Sequence, residues 1–493
     1  MAVLMVATMA PPVAAGADTR PNVVIIMVDD LGPHDGRMLT SSIMPNLSRY
    51  IRSRGIKFTH HYGETSLCCP ARASLLSGQH TDKNGQFDND GRRFDASSTL
   101  ATDLHAVGYR TSFIGKYLNS YSIFPTADLD PPGWTTFDAL YEPQERADQV
   151  VGGQGGGYTG FQVRKKGGAI VDYEDHGYST DVIADLASAR IRNATPGRPL
   201  FEWITPYAPH RARTDSTGAG VYDASPLDAR STKCNNVDPW KPASYGKAPA
   251  GDPSWTRGLP ATAGDRPTAG FPLKPLCQTL LSVDRLIGQV GDALSDTGRL
   301  SNTVFVFTSD NGMAWGEHRL PSKNNPFSHH LPLYVAWPGG RGTTPRSEGT
   351  YTSNIDWRAT VDDLAGATVP DSVDGLSIAP TFRDNAVGWT RPALAESQTS
   401  AYPATSYRAM RSTKDASIGP GWHYIEYASG EHGLYDRGTG TCHSWSSGDP
   451  QDPCELDNLY AKTAGADARA WFEARGFLAK GVRVARNGVY TEK

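Results

Sequence analysis

The stretch Asn22-Val23-Val24-Ile25-Ile26-Met27-Val28-Asp29-Asp30 decides the fold. It is a largely apolar run without the alternation of a half-exposed strand, and it stops abruptly at two acids. Such a run suits a strand buried on both faces of a parallel sheet. Working outward, Pro45 opens a helical pattern through Leu47, Tyr50 and Ile51 that stops at Gly55, and residues 56–60 read as a short strand. Residues 111–114 form a further strand ending at Gly115-Lys116. Ser179-Thr180-Asp181, ahead of Val182, Ile183, Leu186 and Ile191, predicts an N-capped helix. Residues 200–204 read as a strand ending in Thr205-Pro206, and residues 276–294 carry apolar side chains at helical spacing. Residues 303–308 make a strand ending at Ser309-Asp310-Asn311-Gly312, and 333–337 one more. Strands alternating with helices predict an α/β fold with a mostly parallel sheet.

After about Trp389 the character changes. Residues 423–427 and 433–436 look like a hairpin pair, and 464–478 like a final helix. The expected organisation is a signal segment over 1–17, a catalytic domain over 18–388, and a C-terminal subdomain over 389–493 with an antiparallel sheet and a helix. Residues 152–157 are glycine-rich without the spacing of a phosphate loop and read as a hairpin or surface loop.

Composition narrows the class. Lys and Arg number 48 against 52 Asp and Glu, a formal charge of −4, which argues against a nucleic-acid coat or a polybasic membrane binder. Hydrophobic residues make up 38% of the 493, with 11 Trp and 21 Tyr, enough for a large core. The apolar N-terminus followed by Ala15-Gly16-Ala17 reads as a secretory signal and cleavage site without a basic leader, so export is expected. No later stretch approaches the roughly 18 apolar residues of a membrane span. Export makes disulfides reasonable, and Cys234 with Cys277, and Cys442 with Cys454, could each staple a loop. Cys68 and Cys69 are adjacent, which disfavours a bond between them.

Polar residues stand at or just past the ends of four predicted strands: Asp29-Asp30, Lys116, His210 after Pro209, and Asp310-Asn311. In open α/β sheets, ligands bind outside the carboxyl ends of the strands. Three carboxylates and one amide suit Ca²⁺ or Mg²⁺ better than Zn²⁺. Lys116 and His210 could hold an oxyanion against such a metal. Each has a plain reading when taken singly, as a strand-end turn, a solvated loop lysine or a satisfied histidine. The segment Cys68-Cys69-Pro70-Ala71-Arg72-Ala73-Ser74-Leu75-Leu76-Ser77-Gly78 adds to them. Pro70 suits a helical first turn, which leaves Cys68 just before a helix N-terminus that favours an anion, with Arg72 one turn on.

These residues resemble the type I, formylglycine-dependent sulfatases, closest to the N-acetylglucosamine-6-sulfatase, extracellular sulfatase and arylsulfatase-like members. The pattern Cys-x-Pro-(Ser/Ala)-Arg-x-x-x-Leu-(Thr/Ser)-Gly runs from Cys68 to Gly78. The likeness extends through Gly115-Lys116-Tyr117-Leu118-Asn119, Thr308 to Gly312, Gly316-Glu317-His318-Arg319-Leu320-Pro321 and Gly433-Leu434-Tyr435-Asp436. The resemblance implies an alkaline-phosphatase-like sandwich, oxidation of Cys68 to formylglycine by a formylglycine-generating enzyme, and one Ca²⁺ per chain. It implies Asp29, Asp30, Asp310, Asn311 and the modified Cys68 as metal ligands. Arg72, Lys116, His210 and Lys323 become contacts to the sulfate and the leaving group, with His210 the proton donor. The implied substrates are sulfated sugars, 6-O-sulfated glucosamine types among them, or aryl sulfates. A phosphonate or phosphate ester hydrolase of the same superfamily, and a sulfated-glycan binding protein never converted to the aldehyde, are the competing readings.

The sequence also departs from the family pattern. Leu118 stands where many sulfatases carry a histidine. Phe327-Ser328-His329-His330 replaces the Tyr-Glu run that follows the lysine in the closest branch. Arg211-Ala212-Arg213 replaces a proline-containing step, and the Pro/Gly-rich residues 214–269 match poorly. This last segment is expected to border the substrate pocket.

Overall fold

The computed structural model describes residues 18–32, 37–141, 157–173, 177–214, 220–248, 252–262, 267–382, 391, 393–398, 406–438, 454–474, 483–484 and 490–491. The expected signal segment over 1–17, Cys442 and all but the last residue of the glycine-rich stretch 152–157 lie outside them.

The run that opened the sequence reading is strand β1 (Asn22–Val28), buried at every position. Its odd residues Val23, Ile25 and Met27 pack into one core and its even residues Val24, Ile26 and Val28 into another. The absence of alternation therefore has a direct cause: both faces are covered. The other strands of the main sheet are β2 (Ile56–Tyr62), β3 (Arg110–Gly115), β4 (Thr136–Tyr141), β5 (Gln162–Lys165), β6 (Ile170–Asp172), β7 (Leu200–Thr205), β8 (Thr303–Ser309), β9 (His330–Ala336) and β10 (Arg346–Ser353). They lie in the order β10-β2-β9-β8-β1-β7-β3-β4-β5-β6. The centre, β8-β1-β7-β3-β4, is parallel throughout, whereas β9 runs antiparallel to β8 and β2.

Helices α1 (Pro45–Tyr50), α4 (Ser179–Arg192) and α5 (Leu273–Asp296) cover one face; α2 (Cys68–Ser77), α3 (Leu100–Ala106) and α6 (Asp356–Ala365) cover the other. The capping expectation at α4 is corrected: the helix starts at Ser179 itself, after Tyr178, without a side-chain cap. Asp181 instead pairs with Arg285 of α5 at 2.6 Å and accepts from Ser225, so its carboxylate joins two helices.

The excursion over 214–269 is tied to α5 by a disulfide between Cys234 and Cys277. Cys454 is also disulfide-bonded, while Cys68 and Cys69 are free and buried. Near the C-terminus, β11 (Ala393–Gln398), β12 (Tyr407–Ser412), β13 (Trp422–Tyr427) and β14 (His432–Asp436) form a separate antiparallel sheet. The short helix α7 (Ala466–Glu473) starts two residues later than the sequence suggested, with 475–478 of the expected helix outside the described residues, and packs Trp471 and Phe472 on Met410, Tyr424 and Leu434. The opposite face of that sheet, with Tyr407, Ala409, Ile425, Tyr427 and Tyr435, forms its own cluster against Trp255. No helix among the described residues is long and apolar enough to cross a membrane.

Candidate active site

Four adjacent parallel strands end at one edge of the sheet, and each delivers a polar side chain just past its last residue. β1 leads to Asp29 and Asp30, β8 to Asp310 and Asn311, β3 to Lys116, and β7 through Tyr207 to His210. All are buried. Gly115 makes the β3 exit possible. Its φ is +119°, and a Cβ there would lie 2.1 Å from the Thr205 carbonyl oxygen, so only glycine lets β3 and β7 converge here. The Lys116 N–H then donates to that carbonyl at 2.9 Å, and Thr205 Oγ1 donates to the Lys116 carbonyl at 2.7 Å.

Asp30 adopts a left-handed backbone (φ 63°), which the short acidic side chain tolerates and which sends the two consecutive carboxylates to different partners. Asp29 Oδ2 accepts from Lys116 Nζ at 2.5 Å and lies 3.5 Å from Arg72 Nη2. Asp30 Oδ1 accepts from Lys323 Nζ at 2.5 Å and Asn311 Nδ2 at 2.7 Å, and its Oδ2 lies 3.2 Å from His210 Nε2. Asp310 stands behind them. Its Oδ1 accepts the backbone N–H of Asp30 (3.1 Å) and of Asn311 (2.7 Å), and its Oδ2 accepts from Arg72 Nε at 2.8 Å.

Cys68 is the first residue of α2, one place further into the helix than the sequence suggested. It carries the unmodified thiol, and Sγ is the atom that oxidation to an aldehyde would replace by oxygen. Sγ lies 3.5 Å from Asp29 Oδ1 and 3.8 Å from Asp30 Oδ1, and Lys323 Nζ approaches it to 2.8 Å. Lys323, whose following stretch departs from the sequence pattern, is thus brought to the same point as the other site residues. Arg72, one turn along α2 and wholly buried, also donates from Nη1 to the carbonyls of Lys116 (2.5 Å) and Tyr117 (3.3 Å).

Burial and charge act in opposition here. Burial pushes the Cys68 thiol up to about 12, helped by Asp29 and opposed by Lys116 and Lys323. Burial would raise Asp29 too, but Lys116, His210 and Arg72 outweigh it and hold the carboxyl well below its ordinary range. Asp30 is likewise held down, with Lys323 and His210 overcoming its burial. Asp310 goes the other way, up to about 6, because burial and its neighbour Asp29 exceed the pull of Arg72. Burial drives His210 down to about 4 in spite of Asp30. Its Nδ1 donates to the Arg211 carbonyl at 2.6 Å, so Nε2 is the nitrogen facing the carboxylates.

Asp29, Asp30, Cys68 and His210 each offer a ligand atom, all within 4.8 Å of one another. Asn311 Oδ1 is buried without a hydrogen-bond partner beside them, an orphaned acceptor of the kind a cation satisfies. Two carboxylates and a free amide oxygen fit a hard divalent ion. Sequence reasoning had no signal for Tyr207, whose ring lies 4.9 Å from that of His210 and 5.7 Å from Lys116 Nζ. The excursion 214–269 reaches the same loop that carries Lys323: Tyr245 bridges to Glu317, and Trp240 Nε1 donates to Glu317 at 2.5 Å.

The family profile described as Sulfatase matches residues 21–367, which spans β1 to just past α6 and every residue of this cluster. The chain belongs to the sulfatase family. Members of that family are hydrolases of sulfate esters. This sulfatase is 29% identical to an arylsulfatase of Volvox carteri over 92% of its own length and 73% of the relative. It is 30% identical to the extracellular sulfatase SULF-1 homolog of Drosophila melanogaster, covering 77% of its own chain but only 33% of that protein. It is 28% identical to the N-acetylglucosamine-6-sulfatase of Homo sapiens, over 78% of its own chain and 68% of the relative. In three dimensions it superposes with a TM-score of 0.71 on BT4656, solved with its substrate D-glucosamine-2-N,6-O-disulfate, at 20% identity over 93% and 98% of the two chains. It also matches the phosphonate monoester hydrolase of Agrobacterium radiobacter with a TM-score of 0.63, at 20% identity over 96% and 100%. The fold of the sulfatase is the alkaline-phosphatase-like sandwich expected from its sequence.

Proposed function

We propose that this sulfatase is an exported enzyme that hydrolyses sulfate monoesters through a formylglycine made from Cys68 and a bound Ca²⁺, with 6-O-sulfated glucosamine-type sugars as its substrate class. The observation that carries the reading is the convergence of Lys323 Nζ at 2.8 Å and two carboxylates within 4 Å on Cys68 Sγ, at the start of a buried helix. The sugar class is supported by the human relative's name and by the glucosamine disulfate bound in the similar structure.

Asp29, Asp30, Asn311 and Asp310 would hold the metal, Asp310 by orienting its neighbours through its amide contacts. A bound divalent ion supplies charge stabilisation for the sulfuryl oxygens, and a hydrated aldehyde at residue 68 supplies the nucleophile together with a second hydroxyl for releasing sulfate. The chain's own side chains do the rest. Arg72, Lys116 and Lys323 balance Asp29, Asp30 and Asp310, three charges of each sign, so a divalent ion leaves the site positive and receptive to an anionic ester. Arg72 is fixed by two carbonyls and a carboxylate and contributes an oriented cation. Lys116 and Lys323 flank the nucleophile, and His210, neutral with its proton on Nδ1 in the resting site, would take a second proton at Nε2 beside Asp30 and deliver it to the departing alkoxide.

The test is to express the chain with its modifying enzyme, find the aldehyde at residue 68 by mass spectrometry, and assay sulfated sugars. Cys68→Ala is expected to abolish turnover with the fold intact, while Cys69→Ala keeps substantial activity. Near-normal activity in Cys68→Ala would overturn the mechanism. Similarity to phosphonate monoester hydrolases supports a second reading, phosphonate or phosphate ester hydrolysis at the same site. Matched aryl sulfate, phosphate diester and phosphonate substrates separate the two.

A further inference from the structure

The loop between β8 and β9 carries Lys323, and its backbone is unrelaxed. His318 (φ 51°), Arg319 (φ 60°), Ser322 (φ 66°) and Asn324 (φ 67°) are all non-glycine residues in the left-handed region. Such a conformation persists only where the surroundings over-determine it. The bracing comes from two directions. His318 stacks on Phe327 at 3.9 Å, with Nδ1 on Asp252 (2.8 Å) and Nε2 on the Cys454 carbonyl (2.9 Å). At the far end of the loop, His329 Nδ1 donates to the Gly63 carbonyl at 2.7 Å, and the Gly63 N–H donates back to the His329 carbonyl at 2.7 Å.

Because a carbonyl can only accept, the neutral His329 ring carries its proton on Nδ1 and leaves Nε2 as an acceptor. That acceptor meets Tyr407 OH at 2.5 Å, and Ser66 Oγ lies 3.3 Å from the same phenol oxygen. The donors therefore run Ser66 to Tyr407 to His329 to Gly63. Both ends of this closed ring lie in the short segment that feeds Cys68, one side is the Lys323 loop, and the keystone belongs to the C-terminal antiparallel sheet. Tyr407 and Arg411 share a face of β12 at i and i+4, and Arg411 Nη2 donates to the Pro326 carbonyl of the same loop at 3.2 Å. His329 also lies within the stretch Phe327-Ser328-His329-His330, where the sequence departs from the family pattern.

We propose that Tyr407 is a positioning residue: through His329 and Ser66 it fixes the Lys323 loop to the Cys68 segment and so sets the approach of Lys323 to the nucleophile. The inference deepens the catalytic reading given above and rests on it for its kinetic arm. Tyr407 touches none of the reacting atoms. Its hydroxyl acts only by holding two catalytic segments in register, where an error of about 1 Å in a reacting group can lower turnover by about a hundredfold.

The experiment uses the full chain with Tyr407→Phe, which keeps the ring and removes the hydroxyl. Hydrogen exchange is expected to quicken in peptides covering 318–329 while β1 and α5 keep their protection. This arm needs no turnover, so a failed sulfatase assay and a failed brace give different results. In the converted enzyme, kcat on a sulfated sugar should fall on the order of tenfold with KM nearly unchanged. On a Lys323→Ala background the same substitution should add less than about twofold, because its effect passes through the lysine. If Tyr407→Phe unfolds the chain, His329 carries the test. His329→Gln can still donate to Gly63 and accept from Tyr407 and should restore most of what His329→Leu loses. Unchanged exchange in 318–329, losses that multiply in the double variant, or equal behaviour of His329→Gln and His329→Leu would each overturn the proposal.

Discussion

Two buried acidic sites lie on neighbouring strands of one sheet and behave in opposite ways. At the carboxyl edge, Asp29 and Asp30 are wholly enclosed yet held below their ordinary range by Lys116, Lys323, His210 and Arg72. In the middle of β7, Glu202 is equally enclosed, but burial prevails over Arg190 and Ser112 and pushes it up to about 7. Burial alone neutralises a carboxyl, whereas cations aimed at it keep it ionised. An ionised, enclosed carboxylate is what a metal requires, and the cations that maintain it are the ones an anionic ester would meet. Around Glu202 the cations Arg190 and Arg110 do not overcome burial, and its Oε2 is buried without a partner. The strand-end acids should therefore answer to metals and substrates, and Glu202 to pH alone.

The sharpest way to break this contrast is exhaustive chelation. If the edge acids hold a metal, activity should fall at least about a hundredfold and return with Ca²⁺ before Mg²⁺. Elemental analysis finding no metal in a fully active preparation would remove the distinction. Asp310→Ala should weaken metal content and turnover together.

Next in size are the basic side chains. His210→Ala should lower kcat on a sugar sulfate on the order of a hundredfold and on a nitrophenyl sulfate much less, because a good leaving group needs little protonation. Equal losses on both would leave His210 a positioning role. Lys323→Ala should also hurt the sugar sulfate more, by roughly tenfold or greater. If it is silent on both substrates, the 2.8 Å approach to Cys68 has no catalytic meaning.

The smallest effect belongs to Glu202. Its folded pKa, about 7, lies above the value near 4.5 of an unfolded glutamate. The carboxyl is protonated in both states below about pH 4, so no penalty arises there. As pH rises through about 7 the unfolded chain ionises first and the folded state loses relative stability. Glu202→Gln removes this term. Its free energy of unfolding should match the parent near about pH 4 and exceed it near about pH 8, by up to about 3 kcal/mol at roughly 1.4 kcal/mol per pKa unit. Activity should not change. A constant offset across that range would show that burial does not govern Glu202.

Most of the edge site was legible because it obeys local rules. The unalternating run at β1, the acids that stop it and the cysteine segment each carry their signal within a few residues. The direction of β9 was not legible, because a strand looks the same in either direction and only the missing helical crossover from β8 betrays antiparallel pairing. At α4, Ser179-Thr180-Asp181 suggested a cap, but tertiary pairing with Arg285 took the carboxylate. Lys323 could be aligned but not placed, since the residues that hold its loop are distant in sequence. His329 and Tyr407 are 78 positions apart, one in the loop that leads into β9 and the other in the C-terminal sheet. No periodicity or turn chemistry points from one to the other.

If residue 68 is converted as proposed, the enclosure of α2 sets a timetable for that conversion. Cys68, Pro70 and Arg72 are all buried, with Arg72 locked between a carboxylate and two carbonyls. A second protein reading those residues needs them extended and solvated, which the finished sheet denies. On the reading proposed above, oxidation of residue 68 must come before the strands close, so the pace of folding competes with the pace of modification. A variant that folds faster would then emerge as a well-ordered chain with a thiol where the aldehyde belongs.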